Sequence, residues 1–190
     1  MTARSLIVAI LLVASPASAQ IDRSGPRLGG HVLASGLTID FEDLEETGTG
    51  AGAGVELGYG VSASLSVNVS ASGSLLRPPS GDAYGLQTAS LGARYNVRPS
   101  ADFTPYLVVG ATLLRAGFDI PNAPDDREVT GTGAFGGVGL EYGLSRRFAA
   151  DLRVTGHLGT FSRSTEAGVS TDIDLDFRVI RLGAGVTATF

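Results

Sequence analysis

Alternation of apolar and polar residues with a period of two runs through most of the chain and confines it to a β architecture. In "ASLSVNVSAS", Leu65, Val67, Val69 and Ala71 share one face, and Ser64, Ser66, Asn68, Ser70 and Ser72 share the other. "RRFAADLRVTGHL" sets Phe148, Ala150, Leu152, Val154 and Leu158 against Ala149, Asp151, Arg153, Thr155 and His157. The final ten residues, "RLGAGVTATF", set Leu182, Ala184, Val186, Ala188 and Phe190 against Arg181, Gly183, Gly185, Thr187 and Thr189. Runs of this kind predict strands with one greasy and one hydrophilic face. Beyond residue 20 no helical period competes with them.

Eight strands are predicted, near 27–36, 50–60, 63–75, 83–97, 104–117, 131–143, 147–160 and 175–190. "PYLVVGATLL" in the fifth is apolar on both faces, so its orientation is open. The links alternate in length. "GVSAS", "VRPSADF" and "GLSRR" are tight, whereas "SGLTIDFEDLEETGTG", "LRPPSGDA", "FDIPNAPDDREVTG" and "GTFSRSTEAGVSTDID" are long and polar. Short turns at one end and long loops at the other suit a transmembrane barrel with periplasmic turns and extracellular loops. A repeat of about two hairpins supports this, since "GVELGYGVSASLSVNV" (54–69) aligns with "GVGLEYGLSRRFAADLR" (137–153).

The first residues, "MTARSLIVAILLVASPASAQ", have a basic start, a short apolar run and a small-residue cleavage pattern, so residues 1–19 are expected to be a secretory signal peptide. Residues 20–190 then form one domain, exported to the outer membrane. The chain has no cysteine, so no disulfide can reinforce it after export. A net charge of −5 argues against a nucleic-acid partner. No later apolar run reaches the roughly 20 residues of a membrane helix.

Parity alone does not separate a membrane barrel from a soluble one; the character of each face does. The polar face carries Glu56, Arg94, Glu141, Asp151 and Arg153 besides its serines, which suits a narrow lumen. These five charges are expected to meet in the periplasmic half as a paired, structural plug. Tyr59, Tyr95, Tyr106, Tyr142, Phe148 and Phe190 fall at the short-turn end of their strands and are expected to form the periplasmic aromatic girdle. At the other end Phe41, Tyr84, Phe118, Phe161 and Phe177 lie close together, several with the wrong parity for a second girdle. Arg181 is placed near the outer mouth.

The closing Leu182, Ala184, Val186, Ala188 and Phe190, the signal-like start and "TPYLVVGA" (104–111) together resemble the small bacterial outer-membrane β-barrel superfamily, that of outer membrane protein A transmembrane domains and their porin-like relatives. The resemblance covers about 165 residues. It implies an all-β, eight-stranded antiparallel up-and-down transmembrane barrel, set in outer-membrane lipid beside lipopolysaccharide. It also implies that the barrel-assembly machinery recognises the C-terminal strand. The Ser-, Gly- and Ala-rich third strand departs from the pattern.

Other motifs carry less. "GTGAFG" (131–136) opens a strand and lacks the helix a nucleotide fingerprint requires. Asp172, Asp174 and Asp176 lack the central Gly and closing Glu of a calcium loop, so no metal site is expected. His31 and His157 are the only histidines, and Ser162 near His157 has no base and orienting group assembled by spacing. The expected role is therefore structural or surface-interacting, without enzymatic chemistry or cofactor and with any extracellular ligand unidentified. The alternatives are a narrow porin-like channel, which planar-bilayer conductance would reveal, and a soluble periplasmic lipocalin-like binder, which would partition into water.

Overall fold

The computed structural model describes residues 23–41, 44–79, 82–118 and 127–190. The proposed signal peptide lies outside these residues, as do the side chains of the acidic "DFEDLEE" segment. Eight strands form one closed sheet: β1 (Gly25–Phe41), β2 (Leu44–Gly60), β3 (Leu65–Arg77), β4 (Tyr84–Asn96), β5 (Phe103–Phe118), β6 (Arg127–Gly143), β7 (Phe148–Glu166) and β8 (Val169–Thr189). Each pairs antiparallel with its sequence neighbours, and β8 returns to β1 with Arg27 opposite Thr189. Closure leaves no strand edge to face hydrocarbon with unpaired N–H and C=O groups.

The side-chain orientation is that of a membrane barrel. Val67, Leu152 and Val186 are 44%, 51% and 49% exposed on the outer wall. Ser66, Asn68, Asp151, Thr187 and Thr189, from the same strands, are buried inside. A lipocalin-like binder would need the reverse.

Several strands outrun their expected ends, by far the most at the mouth. "SGLTIDFEDLEETGTG" pairs along the β1–β2 hairpin up to Phe41 opposite Leu44. "GTFSRSTEAGVSTDID" is likewise β7 running into β8, closed by Ala167 (φ 51°) and Gly168 (φ 75°). Two consecutive positive φ values make the kind of tight turn whose twist matches a hairpin, and Gly168 takes that conformation without strain. Register shifts at Thr130/Gly131 and Phe161/Arg163 bend this taller side of the barrel.

The sequence disguises the extra strand because the pattern changes phase. Along β8, Leu182 and Ile180 face outward and Arg181 inward; above them Arg178, Asp176, Asp174 and Asp172 are exposed, and Val179 and Phe177 are buried. The doublets Val179–Ile180, Leu75–Leu76 and Leu113–Leu114 mark the switch on three strands. Below the switch the outer wall is apolar down to Phe190. Above it the barrel is an ordinary water-facing β-structure with its own core: Leu37, Ile39, Leu76, Tyr84, Leu86, Leu114, Ala116, Val129, Phe161, Phe177 and Val179. The rings of Phe161 and Phe177 meet at 4.8 Å between centroids. Tyr84, Phe161 and Phe177 therefore belong to this interior core, which explains their parity. From Ile180 to Phe190 the apolar belt covers about 33 Å of strand at roughly 3.3 Å per residue, or about 25 Å of membrane height at a tilt near 40°. That matches the lipid band of an outer-membrane barrel.

Candidate functional site

The lumen below the apolar core holds the molecule's densest polar chemistry. Its base is organised around Glu141 on β6, whose side chain is 0% exposed. Arg23 Nε donates to Glu141 Oε1 at 2.9 Å, Arg94 Nη2 donates to Oε2 at 2.7 Å, and Arg27 donates to the same Oε2. Arg23, just ahead of β1, also donates to Thr104 Oγ1 at 2.7 Å and to the carbonyl of Pro99. It thereby ties the chain's entry into the barrel to the β4–β5 turn.

A second carboxylate, Asp151 on β7, lies beside this group. Tyr106 donates its hydroxyl to Asp151 Oδ2 at 2.7 Å, and the Arg94 guanidinium sits 3.6 Å above the Tyr106 ring centroid. Arg94 Nη1 is 3.8 Å from Asp151 Oδ2, and Arg94 Nε donates to Asn96 Oδ1 at 2.9 Å. Higher up, Arg153 Nη1 bonds Glu56 Oε2 at 2.5 Å and its Nη2 donates to His31 Nδ1 at 3.1 Å. A guanidinium has only donors, so His31 Nδ1 accepts; the ring proton is on Nε2, 3.4 Å from Asp151 Oδ1.

Glu56, Arg94, Glu141, Asp151 and Arg153 thus all face the lumen, divided into a Glu141–Arg94–Asp151 base and a Glu56–Arg153 pair above it. Arg23, Arg27 and His31 complete the network. The sequence carries no signal that places them in the lumen, since Arg23 precedes any strand pattern and Arg27 and His31 lie on a strand whose alternation is diluted by glycine.

Tyr59, Tyr95, Phe148 and Phe190 face outward at the short-turn end, with Phe190 74% exposed. Tyr142 is partly covered and stacks on Phe103, also outward, at 4.5 Å between centroids. Tyr106 departs from the girdle expectation: it is 2% exposed and points inward. Pro105 and Leu107 take the outer face of β5, and Gly139 makes room for the ring, since a Cβ there would overlap it. An all-apolar strand could not reveal that parity. Arg181 also departs, lying within the lipid-embedded span and in register with Ser35 on β1 and Thr155 on β7. Leu182, Ala184, Val186, Ala188 and Phe190 share the outer face of the closing strand, and the Phe190 N–H donates to the Pro26 carbonyl at 3.0 Å.

The histidines form no hydrolytic centre. His157 is buried, stacked on Phe135 at 5.3 Å and 3.3 Å from Thr155 Oγ1, while Ser162 is exposed at the bulge. Asp172, Asp174 and Asp176 are spread along the exposed outer face of β8, and among the described residues no acidic or histidine cluster is arranged to hold a metal.

Solved structures share this architecture. Neisserial surface protein A superposes with a TM-score of 0.62 at 19% identity, over 88% of this chain and 98% of that one. OprG from Pseudomonas aeruginosa gives 0.56 at 12% identity, over 90% and 99%. The attachment invasion locus protein Ail of Yersinia pestis gives 0.52 at 14%, over 86% and 99%. No curated protein sequence matches the chain. The sequence model for "Outer membrane protein beta-barrel domain" matches residues 5–187, nearly the whole chain. With its lipid-facing belt, closed ring of eight strands and polar lumen, the chain belongs to the outer membrane protein beta-barrel domain family, as an integral barrel of the outer membrane.

Proposed function

We propose that this protein is a closed, non-conducting barrel whose work is done at the cell surface by its tall β7–β8 side. One observation carries the reading. Beyond the lipid border at Arg178, β8 continues to Val169, about 30 Å of strand at roughly 3.3 Å per residue, over a packed interior that includes Phe161 and Phe177. A packed core beneath an exposed strand pair is a rigid platform, and its outer face is rich in hydroxyls and charge: Arg163, Thr165, Ser170, Asp172, Asp174 and Asp176. Such a surface suits a polar partner outside the cell, among them the phosphorylated, cation-bridged lipopolysaccharide that surrounds the barrel. Below it, the guanidinium–carboxylate base and the apolar core occupy the lumen in series. The role is therefore anchoring and display, without catalysis and without a cofactor.

The same reading includes export by a signal over residues 1–19, leaving 20–190 as the barrel domain, and assembly through the outward apolar ridge from Leu182 to Phe190. The absence of cysteine makes a clean test available. Ser170→Cys is expected to react with a membrane-impermeant maleimide on intact cells, and Ser145→Cys, in a short turn, only after the outer membrane is permeabilised. The opposite result would invert the topology and remove the platform from the surface. Regular conductance steps from the native barrel in planar bilayers would favour the porin-like channel instead.

A further inference from the structure

We infer that the lumen binds a small monovalent anion, of the size and charge of chloride, against Arg181. The interior carries more positive charge than the described side chains neutralise. Five guanidiniums (Arg23, Arg27, Arg94, Arg153 and Arg181) share the lumen with three carboxylates (Glu56, Glu141 and Asp151). Four of these arginines have a carboxylate within 4.0 Å; Arg181 has none among the described residues. Its polar contacts are two hydroxyls, Ser72 Oγ at 3.0 Å and Thr88 Oγ1 at 2.5 Å, and its Nε has no protein partner although it is buried. A buried cation held only by neutral dipoles, in a wall surrounded by hydrocarbon, is strongly unfavourable unless a counter-charge is close.

A place for that counter-charge adjoins it. Arg181, Arg153, His157, Thr155, Asn68, Ser70, Ser72 and Ser90 line a cavity of about 50 Å³ inside the barrel. At about 10–15 Å³ per water-sized particle it takes three to five of them, enough for a halide with some residual water and too little for an organic acid. Two guanidiniums and several hydroxyl and amide groups can donate to an anion there. The Glu56 carboxylate on its wall is already engaged by Arg153. The cavity lies between two packed layers of the interior. The pairs around Glu141 and Asp151 lie below it, and the buried Val179, Leu76 and Leu86, the next inward positions above Arg181, Ser74 and Thr88, lie above it. Burial between these layers gives the anion a low-dielectric setting. It acts as a structural counter-ion that completes the polar network through the lipid-embedded span.

The test uses the full-length barrel folded in detergent. Crystals grown in sodium bromide are expected to show an anomalous peak touching Arg181 Nε or Nη. In parallel, unfolding in urea is followed in sodium chloride–sodium gluconate mixtures at constant ionic strength. Well above half-saturation, a tenfold rise in chloride is expected to lower the unfolding equilibrium constant by about tenfold. Arg181→Met, which removes the charge and keeps much of the length, is expected to abolish both effects. If it does not fold, the two native-protein measurements decide alone. Water without anomalous signal beside Arg181, equal stability in chloride and gluconate, or bromide retained in Arg181→Met would each overturn the inference.

Discussion

Replacing Glu141 with Gln deletes one charge at nearly constant volume, at the point where three arginines converge. The carboxylate receives Arg23 Nε at 2.9 Å, Arg94 Nη2 at 2.7 Å and Arg27, and it is completely buried. An amide keeps one acceptor oxygen but turns an NH₂ group towards guanidiniums that can only donate. Hydrogen bonds to charged groups contribute about 1.5–3 kcal/mol each, so three amount to a gross ~5–9 kcal/mol. The net loss is smaller, because Arg94 keeps Asn96 at 2.9 Å and Asp151 at 3.8 Å, and Arg23 keeps Thr104 and the Pro99 carbonyl. Breaking a buried ion pair from one side costs about 3–5 kcal/mol, and that is the expected destabilisation. The same amide substitution has a control at the mouth. Glu128 pairs with Arg115, whose side chain is 56% exposed, so Glu128→Gln should change stability by no more than about 1 kcal/mol. Both variants would be unfolded in urea from lipid vesicles, with the folded fraction read as the heat-modifiable band on cold gels. If the two lie within roughly 0.5 kcal/mol of each other, a margin typical of surface substitutions, the charge network does not hold the base of the barrel together.

Other substitutions separate the remaining layers. Phe177→Ala hollows the core above the membrane, where the ring is 1% exposed and packed against Phe161, and should cost about 3–5 kcal/mol in the same urea titration. Leu152→Arg, on the outer wall within the apolar belt, should cost about 2–4 kcal/mol in bilayers. Stability unaffected by that charge would mean that β7 does not face lipid. Tyr106→Phe keeps the ring beneath Arg94 but removes the 2.7 Å donor to Asp151, for an expected loss of about 1–3 kcal/mol. A result near zero would make the hydroxyl incidental to the network.

How legibly the sequence states its fold follows from which solvent each residue meets. Hydrocarbon penalises every outward polar group, so within the belt the outer face stays apolar, and β3, β7 and the end of β8, whose inner faces are polar, carry strand, face and membrane in the same few residues. Above Arg178 the outer solvent is water, and two changes hide the strand. The phase of the alternation reverses, and Ser, Thr and Arg on both faces of Val169–Thr171 and Arg163–Thr165 imitate a loop. Yet the doublets Leu75–Leu76, Leu113–Leu114 and Val179–Ile180 are the signature of that reversal. A loop has no reason to keep an apolar residue at every second position, as Ile173, Leu175, Phe177 and Val179 do. A strand leaving lipid for water while its barrel stays packed has to do so. The lumen was harder for a different reason. Charge on the polar face could be counted from parity, but the partner of each charge depends on which strands face one another across the barrel, and that is a property of the ring. Arg23 reaches Glu141 over 118 positions, and Arg153 reaches His31 over 122. Tyr106 could be assigned only once Gly139 was known to stand beside it, since neighbouring residues on β5 offer lipid and lumen equally acceptable faces. The space left by that glycine on β6 therefore selects the face of a tyrosine on β5, and through it the position of the Arg94 guanidinium.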